Sequence, residues 1–410
     1  MVTASPAQNT PVGGHAKIPL LFALGIAATS GAAHLGIIYT PFLVGGLIDR
    51  YGFGQFLMGW FASVETLAFA GAMFVFAPRA HRFRPRRMAL LASAVIASAQ
   101  VVSSMTGFWP LLLLSRVATG LGFGTLNTAV NIAAGRTSQP ERAISVGISL
   151  QVVLFAVLNV VIPRIGVAGG VSAMFIALGL VSGTLALGML ALSDATAAGQ
   201  DTAKEQQAVP PMAPGGWPVL AAMALFAFGT MAIWPFMERA AHAIHLPDTT
   251  YGLYQALAMA LSSVGNVTLT MLLARGPRPW LLEAALMTCG TMCAVLTTVD
   301  SQLVFGMALQ LYNVSWYITY PLLLGLAFAH DPHGRLAVRT TATWLVAQSA
   351  GQVVAGYVAQ RTAGYGLVGC LGMITCAVAV GIVIWFQARL RRQSGMRAPV
   401  KAQVATGTGR

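Results

Sequence analysis

Three ionisable side chains stand well inside long apolar stretches of this 410-residue sequence: His34, Glu65 and Arg116. A charge at hydrocarbon depth is costly and must face a partner or a water-filled cavity, which makes each of them a functional candidate. Glu65 has two readings: a carboxylate that couples protons or recognises substrate, or the structural ion-pair partner of Arg116. A carboxyl group held between burial and a nearby cation can take up and release a proton as its access to water alternates. His34 is read either as a second proton-coupling or cavity residue, or as a histidine hydrogen-bonded to a neighbouring helix. Arg116 either contacts substrate or orients its helix. Counted from the expected outer helix ends, His34 lies seven residues before Pro41 and Arg116 six after Pro110, so their depths nearly coincide. Glu65 would lie roughly 7 Å deeper at about 1.5 Å per residue.

A second constellation is aromatic. The stretch LQLYNVSWYITYPLLLG places Tyr312, Trp316 and Tyr320 at helical positions i, i+4 and i+8, with Asn313 and Tyr317 on the adjacent stripe. Such a surface suits substrate binding to an aromatic or amphipathic solute, through ring stacking and a few polar contacts. The competing reading is helix packing or an interfacial aromatic belt. A belt gathers near one end, whereas these residues extend over about 12 Å. Trp234, Gln255, Asn266, Gln348 and Gln352 are further polar candidates, each alone more often glue between helices than a ligand contact.

The elements that must position these groups follow from composition. Hydrophobic residues make up 56% of the chain and charged residues 9%, where a soluble globular chain is about 25% charged. With a mean hydropathy of +0.72, a water-soluble enzyme is excluded. Cys289, Cys293, Cys370 and Cys376 all lie in apolar stretches and form no disulfide framework. Apolar segments fall at roughly 18–47, 54–77, 88–107, 110–133, 143–162, 167–192, 217–237, 251–274, 280–299, 301–329, 336–359 and 364–387. Hydrocarbon cannot satisfy open backbone groups, so each segment is helical. The run after Lys17 is too long for a secretory signal and is expected to be a retained first span. The fold class expected is all-α integral membrane, with twelve transmembrane helices in two six-helix halves.

Basic residues set the orientation. With the N-terminus inside, the inner segments hold 19 of the 24 Lys and Arg residues, the outer ones only Arg50, Arg164, Arg239 and Arg361. Both termini are therefore expected in the cytoplasm, in a plasma membrane of the bacterial inner-membrane kind. The formal net charge of +13 serves this orientation, and no nucleic-acid partner is expected. The chain divides into a cytoplasmic tail 1–17, a first half 18–192, a polar cytoplasmic linker 193–216 rich in Ala and Pro, a second half 217–387 and a basic tail 388–410. Arg82 and Arg275 are separated by 275 − 82 = 193 positions, and Arg142 and Arg335 by 335 − 142 = 193. The repeated offset agrees with a duplicated six-helix unit.

The fourth segment reads LLLLSRVATGLGFG, in which Arg116, Gly120 and Gly124 follow an Arg-x-x-x-Gly pattern. Together with twelve spans, a central linker and the Arg-rich stretch AHRFRPRR after the second span, it resembles the major facilitator superfamily, over Lys17 to about Arg392. The resemblance implies a secondary transporter in which the tenth span lines a central cavity and Arg116 orients its helix. Gly120 and Gly124, four apart, form a helix-packing motif that lets a neighbouring backbone approach. Two departures stand out. His81 occupies the place of the Asp in the family's Asp-Arg-x-Gly-Arg-Arg element, and the fifth span has Asn159 to Pro163, then Gly169 and Gly170, in place of the Gly-Pro-x-x-Gly-Gly of many drug/proton antiporters.

Other patterns carry little. His242, His245 and Asp248 have helix-compatible spacing for a metal, but three such residues in a polar loop arise easily by chance, and no metal is expected. No phosphate-binding loop is present, so ATP-driven transport within the chain is excluded and no cofactor is expected. The sequence thus reads as a monomeric secondary active transporter in the lipid bilayer, taking protons and a small-molecule substrate, an aromatic or amphipathic organic solute with anions among the candidates. A multidrug/proton antiporter and a non-transporting membrane sensor are the alternatives. Reporters inserted near Gln200 and fused after Arg410 should both report the cytoplasm and one near Arg361 the outside; a periplasmic C-terminus would sink the twelve-span expectation.

Overall fold

Helix makes up most of the described part of each of the twelve expected apolar segments, and among the described residues no strand occurs. The computed structural model describes residues 20–76, 83–137, 140–192, 215–276, 278, 280–331 and 335–396. The expected tail 1–17, the linker up to residue 214, His81 and Arg82, and the basic tail from 397 onward lie outside the described residues. The helices are α1 (Leu20–Ala33), α2 (Leu35–Tyr51), α3 (Gln55–Phe76), α4 (Pro85–Met105), α5 (Trp109–Gly135), α6 (Pro140–Met189), α7 (Trp217–Ala232), α8 (Met237–Ala243), α9 (Asp248–Ala274), α10 (Trp280–Thr298), α11 (Gln302–His330), α12 (Arg335–Thr362) and α13 (Gly366–Met396).

Eight stretches among the described residues are long and apolar enough to cross a membrane. One of them, Leu150–Met189, has 40 residues, about twice what a bilayer needs, and it turns at Gly170, whose φ of 68° a side chain would resist. The expected boundary between 162 and 167 is therefore corrected to Gly170. Outward-facing side chains are apolar, with Leu91 71% and Leu180 67% exposed, a surface that water would not tolerate in quantity. α5, α11 and α12 are not among those eight stretches, and they are the helices that carry Arg116, Asn313, Gln348 and Gln352.

Proline and glycine set the breaks. Pro85, Pro110 and Pro218 open α4, α5 and α7 at positions where a missing N–H costs nothing. Gly52, at φ 65°, closes α2 with its N–H on the Ile48 carbonyl at 2.8 Å. The first and seventh expected segments are each interrupted: α1 gives way to α2 at His34, and α7 to α8 through a 3-10 turn at Trp234–Phe236. These two breaks fall after helices of 14 and 16 residues. Packing repeats as well, with α3 on α5 and α4 on α5 in the first half, and α9 on α11 and α10 on α11 in the second.

The α3–α5 crossing depends on absent side chains. A Cβ on Gly120 would collide with the Glu65 carbonyl oxygen, and one on Gly124 with that of Phe69. Gly71 on α3, by contrast, has open space around it. Gly120→Ala should therefore destabilise the detergent-solubilised protein by about 1 to 3 kcal/mol through overpacking, while Gly71→Ala leaves the thermal midpoint unchanged or slightly raised. Equal midpoints for the two variants would show that the crossing tolerates the extra methyl.

Candidate functional site

Glu65 on α3 and Arg116 on α5 meet where those helices cross. Arg116 is fully buried and Glu65 is 5% exposed. Arg116 Nη1 donates to Glu65 Oε2 at 2.9 Å, and Thr119 Oγ1 donates to the same oxygen at 2.7 Å. From α4, Gln100 Oε1 and Ser103 Oγ accept from Arg116 Nη2 at 2.9 and 3.0 Å. The guanidinium lies 5.1 Å from the Phe61 ring and 5.2 Å from that of Phe175, so ring faces supply the contacts that water would otherwise make. Arg116 thus spends its charge inside the first half and reaches no open surface.

The other carboxylate oxygen, Glu65 Oε1, rests on the bare backbone of Gly36, where a Cβ would collide. Gly36 is two residues past the helix break at His34. There the His34 Nδ1 stands 2.9 Å from the Ser30 carbonyl, a contact that requires the proton on Nδ1. The ring is 6.3 Å from Phe69. His34 is thus anchored to its own helix, and its link to Glu65 runs through the α2 backbone.

The aromatic stripe of α11 divides in two. Tyr312 is 1% exposed and its hydroxyl donates to the Thr230 carbonyl on α7 at 2.8 Å. Asn313 Nδ2 donates to the Leu309 carbonyl one turn back at 2.9 Å. Both are interior positions. Trp316 and Tyr320 are half-buried, with rings 5.8 Å apart and inclined by only 2°. Trp344 of α12 stands 6.2 Å from Trp316 and 5.4 Å from Tyr320, at about right angles to neither but tilted near 60° to both. Tyr317 abuts Trp316 at 5.3 Å and directs its hydroxyl at the Met259 sulfur. Sequence reasoning missed Trp344, although Trp344, Gln348 and Gln352 repeat at four-residue intervals along α12. Gln100 and Ser103 were missed for a different reason, because nothing local in α4 points to α5.

The sequence profile of the Major Facilitator Superfamily matches residues 20–349. The chain belongs to the Major Facilitator Superfamily. A search of curated proteins gives no match. Among solved structures, the nucleoside transporter NupG is similar with a TM-score of 0.68 at 10% identity, over 91% of this chain and 100% of that one. A bacterial homolog of the human lysosomal transporter Spinster, inward-facing and occupied, gives 0.66 at 15% over 92% and 96%. A D-xylose-proton symporter gives 0.67 at 13% over 88% and 97%. At such identities the likeness concerns the fold.

In this superfamily member the contacts between halves gather at one end. Gly59 of α3 lies against the Gln352 carbonyl and Val353 of α12, and Gly356 lies against the Gln55 carbonyl. Gln360 Oε1 accepts from the Phe56 N–H at 2.9 Å. Gly252 of α9 packs on the Asn159 carbonyl and Pro163 of α6, and Trp234 Nε1 donates to the Ile37 carbonyl at 2.7 Å. Arg239 completes this seam. Its Nη1 and Nη2 donate to the two Asp49 oxygens at 2.7 and 2.9 Å, while Nε and Nη2 donate to the two Glu238 oxygens at 2.7 and 2.8 Å.

Glu238 is 2% exposed, so Glu65 is not the single deeply buried carboxylate that the sequence suggests. A cavity of about 420 Å³ opens beside it, lined among others by Phe42, Asp49, Pro163, Met174 and Asp248. Glu238, His242 and Asp248 each bring one ligand atom to within 4.8 Å of the others. Arg239 already engages both Glu238 oxygens, and His245, at φ 58°, is not in the group; we assign no metal there. Arg239→Gln is expected to raise several-fold the rate at which a cysteine introduced at Val353 is labelled by a hydrophilic maleimide. An unchanged rate would mean that the glycine contacts hold the seam without the Arg239–Asp49 ion pair.

Proposed function

We propose that this protein is a proton-coupled secondary transporter that moves a small organic solute by alternating access of its two halves. The observation that carries the reading is the Glu65–Arg116 pair, a titratable carboxylate buried at a helix crossing. Maintaining an isolated charge there is expensive, so protonation of Glu65 releases Arg116 from its strongest partner and alters the fit of α3, α5 and α2 together. His34, at the α1–α2 break, is the second proton-coupling candidate. Trp316, Tyr317 and Tyr320 form the solute-facing surface, and the orientation expected from basic residues puts the closed seam at Arg239 on the outer side. Dividing Leu150–Met189 at Gly170 and adding α5, α11 and α12 to the apolar stretches gives twelve spans. A multidrug/proton antiporter is the alternative within transport, and a sensor would bind without accumulating solute.

The test uses a solute that stabilises the purified protein against heat. In proteoliposomes with an imposed pH gradient, Glu65→Gln should abolish accumulation while counterflow exchange survives. Breaking a buried pair from one side costs about 3 to 5 kcal/mol, so the variant's thermal midpoint is measured alongside, and Glu65→Asp is expected to keep partial coupling. Accumulation by Glu65→Gln at the wild-type pH dependence would assign Glu65 a purely structural role and pass the coupling role to His34.

A further inference from the structure

The aromatic niche of the second half holds polar atoms that have no partner. Trp316 Nε1, Trp344 Nε1, both amide atoms of Gln348 and Gln352 Oε1 are buried without a hydrogen bond. Gln348 is fully buried, and Gln352 is 2% exposed. Burial of such groups is tolerated when something satisfies them, since an orphaned donor or acceptor forfeits its hydration. Thirteen such atoms occur among the described residues, and these five are carried by four residues of two adjacent helices, with the Trp316 and Trp344 rings 6.2 Å apart. Trp344, Gln348 and Gln352 share one stripe of α12, spaced four apart. The Gln352 end of that stripe abuts Gly59 of α3 across the seam, so the stripe lies where the two halves meet and separate.

The chemistry of the missing partner can be read from the orphans. Two indole N–H groups ask for acceptors. The Gln348 amide offers a donor and an acceptor side by side, which a ring amide matches with its own adjacent C=O and N–H. The nearly parallel Trp316 and Tyr320 rings, with Trp344 as a tilted wall and Phe226 behind Trp316 at 6.1 Å, favour a flat ring system. No charge is offered: Arg116 and Glu65 are spent on each other, and the described charged residues of α7 to α13 stand near helix ends. We propose that the niche of Trp316, Tyr320, Trp344 and Gln348 binds an uncharged planar heteroaromatic solute carrying a lactam edge. This rests on the reading that the protein transports a small organic solute, and it replaces the anion named among the candidates with a neutral ring.

The probes are carbostyril, a neutral bicyclic lactam, its N-methyl derivative, which lacks the donor, and naphthoate, an anion of similar size. Calorimetric binding to the full-length protein in detergent should favour carbostyril by about 10-fold over the N-methyl compound, the equivalent of one hydrogen bond, and by at least as much over naphthoate. Gln348→Leu should erase the preference for the free lactam. It should also leave the thermal midpoint unchanged or raised, because it removes two unpaired polar atoms; a glutamine that serves packing would instead lose stability on replacement. Trp344→Leu should weaken all the ring probes together. Preference for naphthoate, a preference for the lactam that survives Gln348→Leu, or no binding of any probe would overturn the proposal. Binding with the expected preferences but no accumulation in proteoliposomes would uphold it and overturn the transport reading, whereas transport of other solutes without lactam preference would do the reverse.

Discussion

The first half is organised around one buried charge. Arg116 cannot sit in hydrocarbon unpaired, and its guanidinium draws Glu65 from α3, Gln100 and Ser103 from α4 and the rings of Phe61 and Phe175 around it. The close approach that this requires is possible because Gly120 and Gly124 lack side chains and Gly36 leaves room for a carboxylate oxygen. Sequence order on α5 therefore matters: the arginine and the glycines are four apart, so the helix that brings the charge also brings the clearance. Replacing such a pair by apolar residues is often neutral for stability, which leaves its retention to be explained by what the charge does.

The second half solves the same packing problem without charge. Its equivalent helices, α9 and α11, meet through Gly265 against Val314 and Gly306 against the Tyr254 ring, with Gln310 Nε2 donating to the Tyr254 carbonyl at 3.0 Å. Polar capacity is concentrated on α11 and α12, as indole and amide groups. In the reading proposed above the two halves take different tasks, titratable chemistry in the first and ring recognition in the second. At the seam, the exposed Asp49 contact of Arg239 contributes little, since surface pairs are worth about 0 to 1 kcal/mol. The Glu238 contact joins neighbours on α8 and does not cross the seam; Glu238 itself meets the first half at Gly45 of α2, where a Cβ would collide with its carboxylate.

The helical class and the position of the spans were legible because hydrocarbon imposes a single backbone solution on any long apolar run. Glu65, His34 and Arg116 stood out for the same reason, as charges where charge is expensive. What escaped was set by tertiary contacts. Periodicity placed Tyr312 with Trp316 and Tyr320, yet one turn along α11 separates a residue sealed against α7 from residues that meet Trp344. The turn at Gly170 was shifted because apolar residues run through it unbroken. Glu238 falls one residue past the expected segment 217–237, whereas the chain resumes a helix at Met237 and carries Glu238 under the seam.

The two candidate sites share one element, α3. One of its faces holds Glu65 against α5, and about two turns earlier Gly59 lies against Gln352 of α12. The α12 backbone runs the opposite way, so Gln348 and Trp344 follow Gln352 toward the level of Glu65. In the proposed cycle a proton on Glu65 frees Arg116 and loosens α3 from α5. The same helix is the wall against which the α12 stripe is closed, so its displacement changes the burial of Gln348 and Gln352. A solute that satisfies those amides stabilises one arrangement of α12 and not the other, which is the differential affinity that shifting a conformational equilibrium requires. In this proposal proton and solute act on different faces of one helix, and coupling between them needs no contact between the two sites.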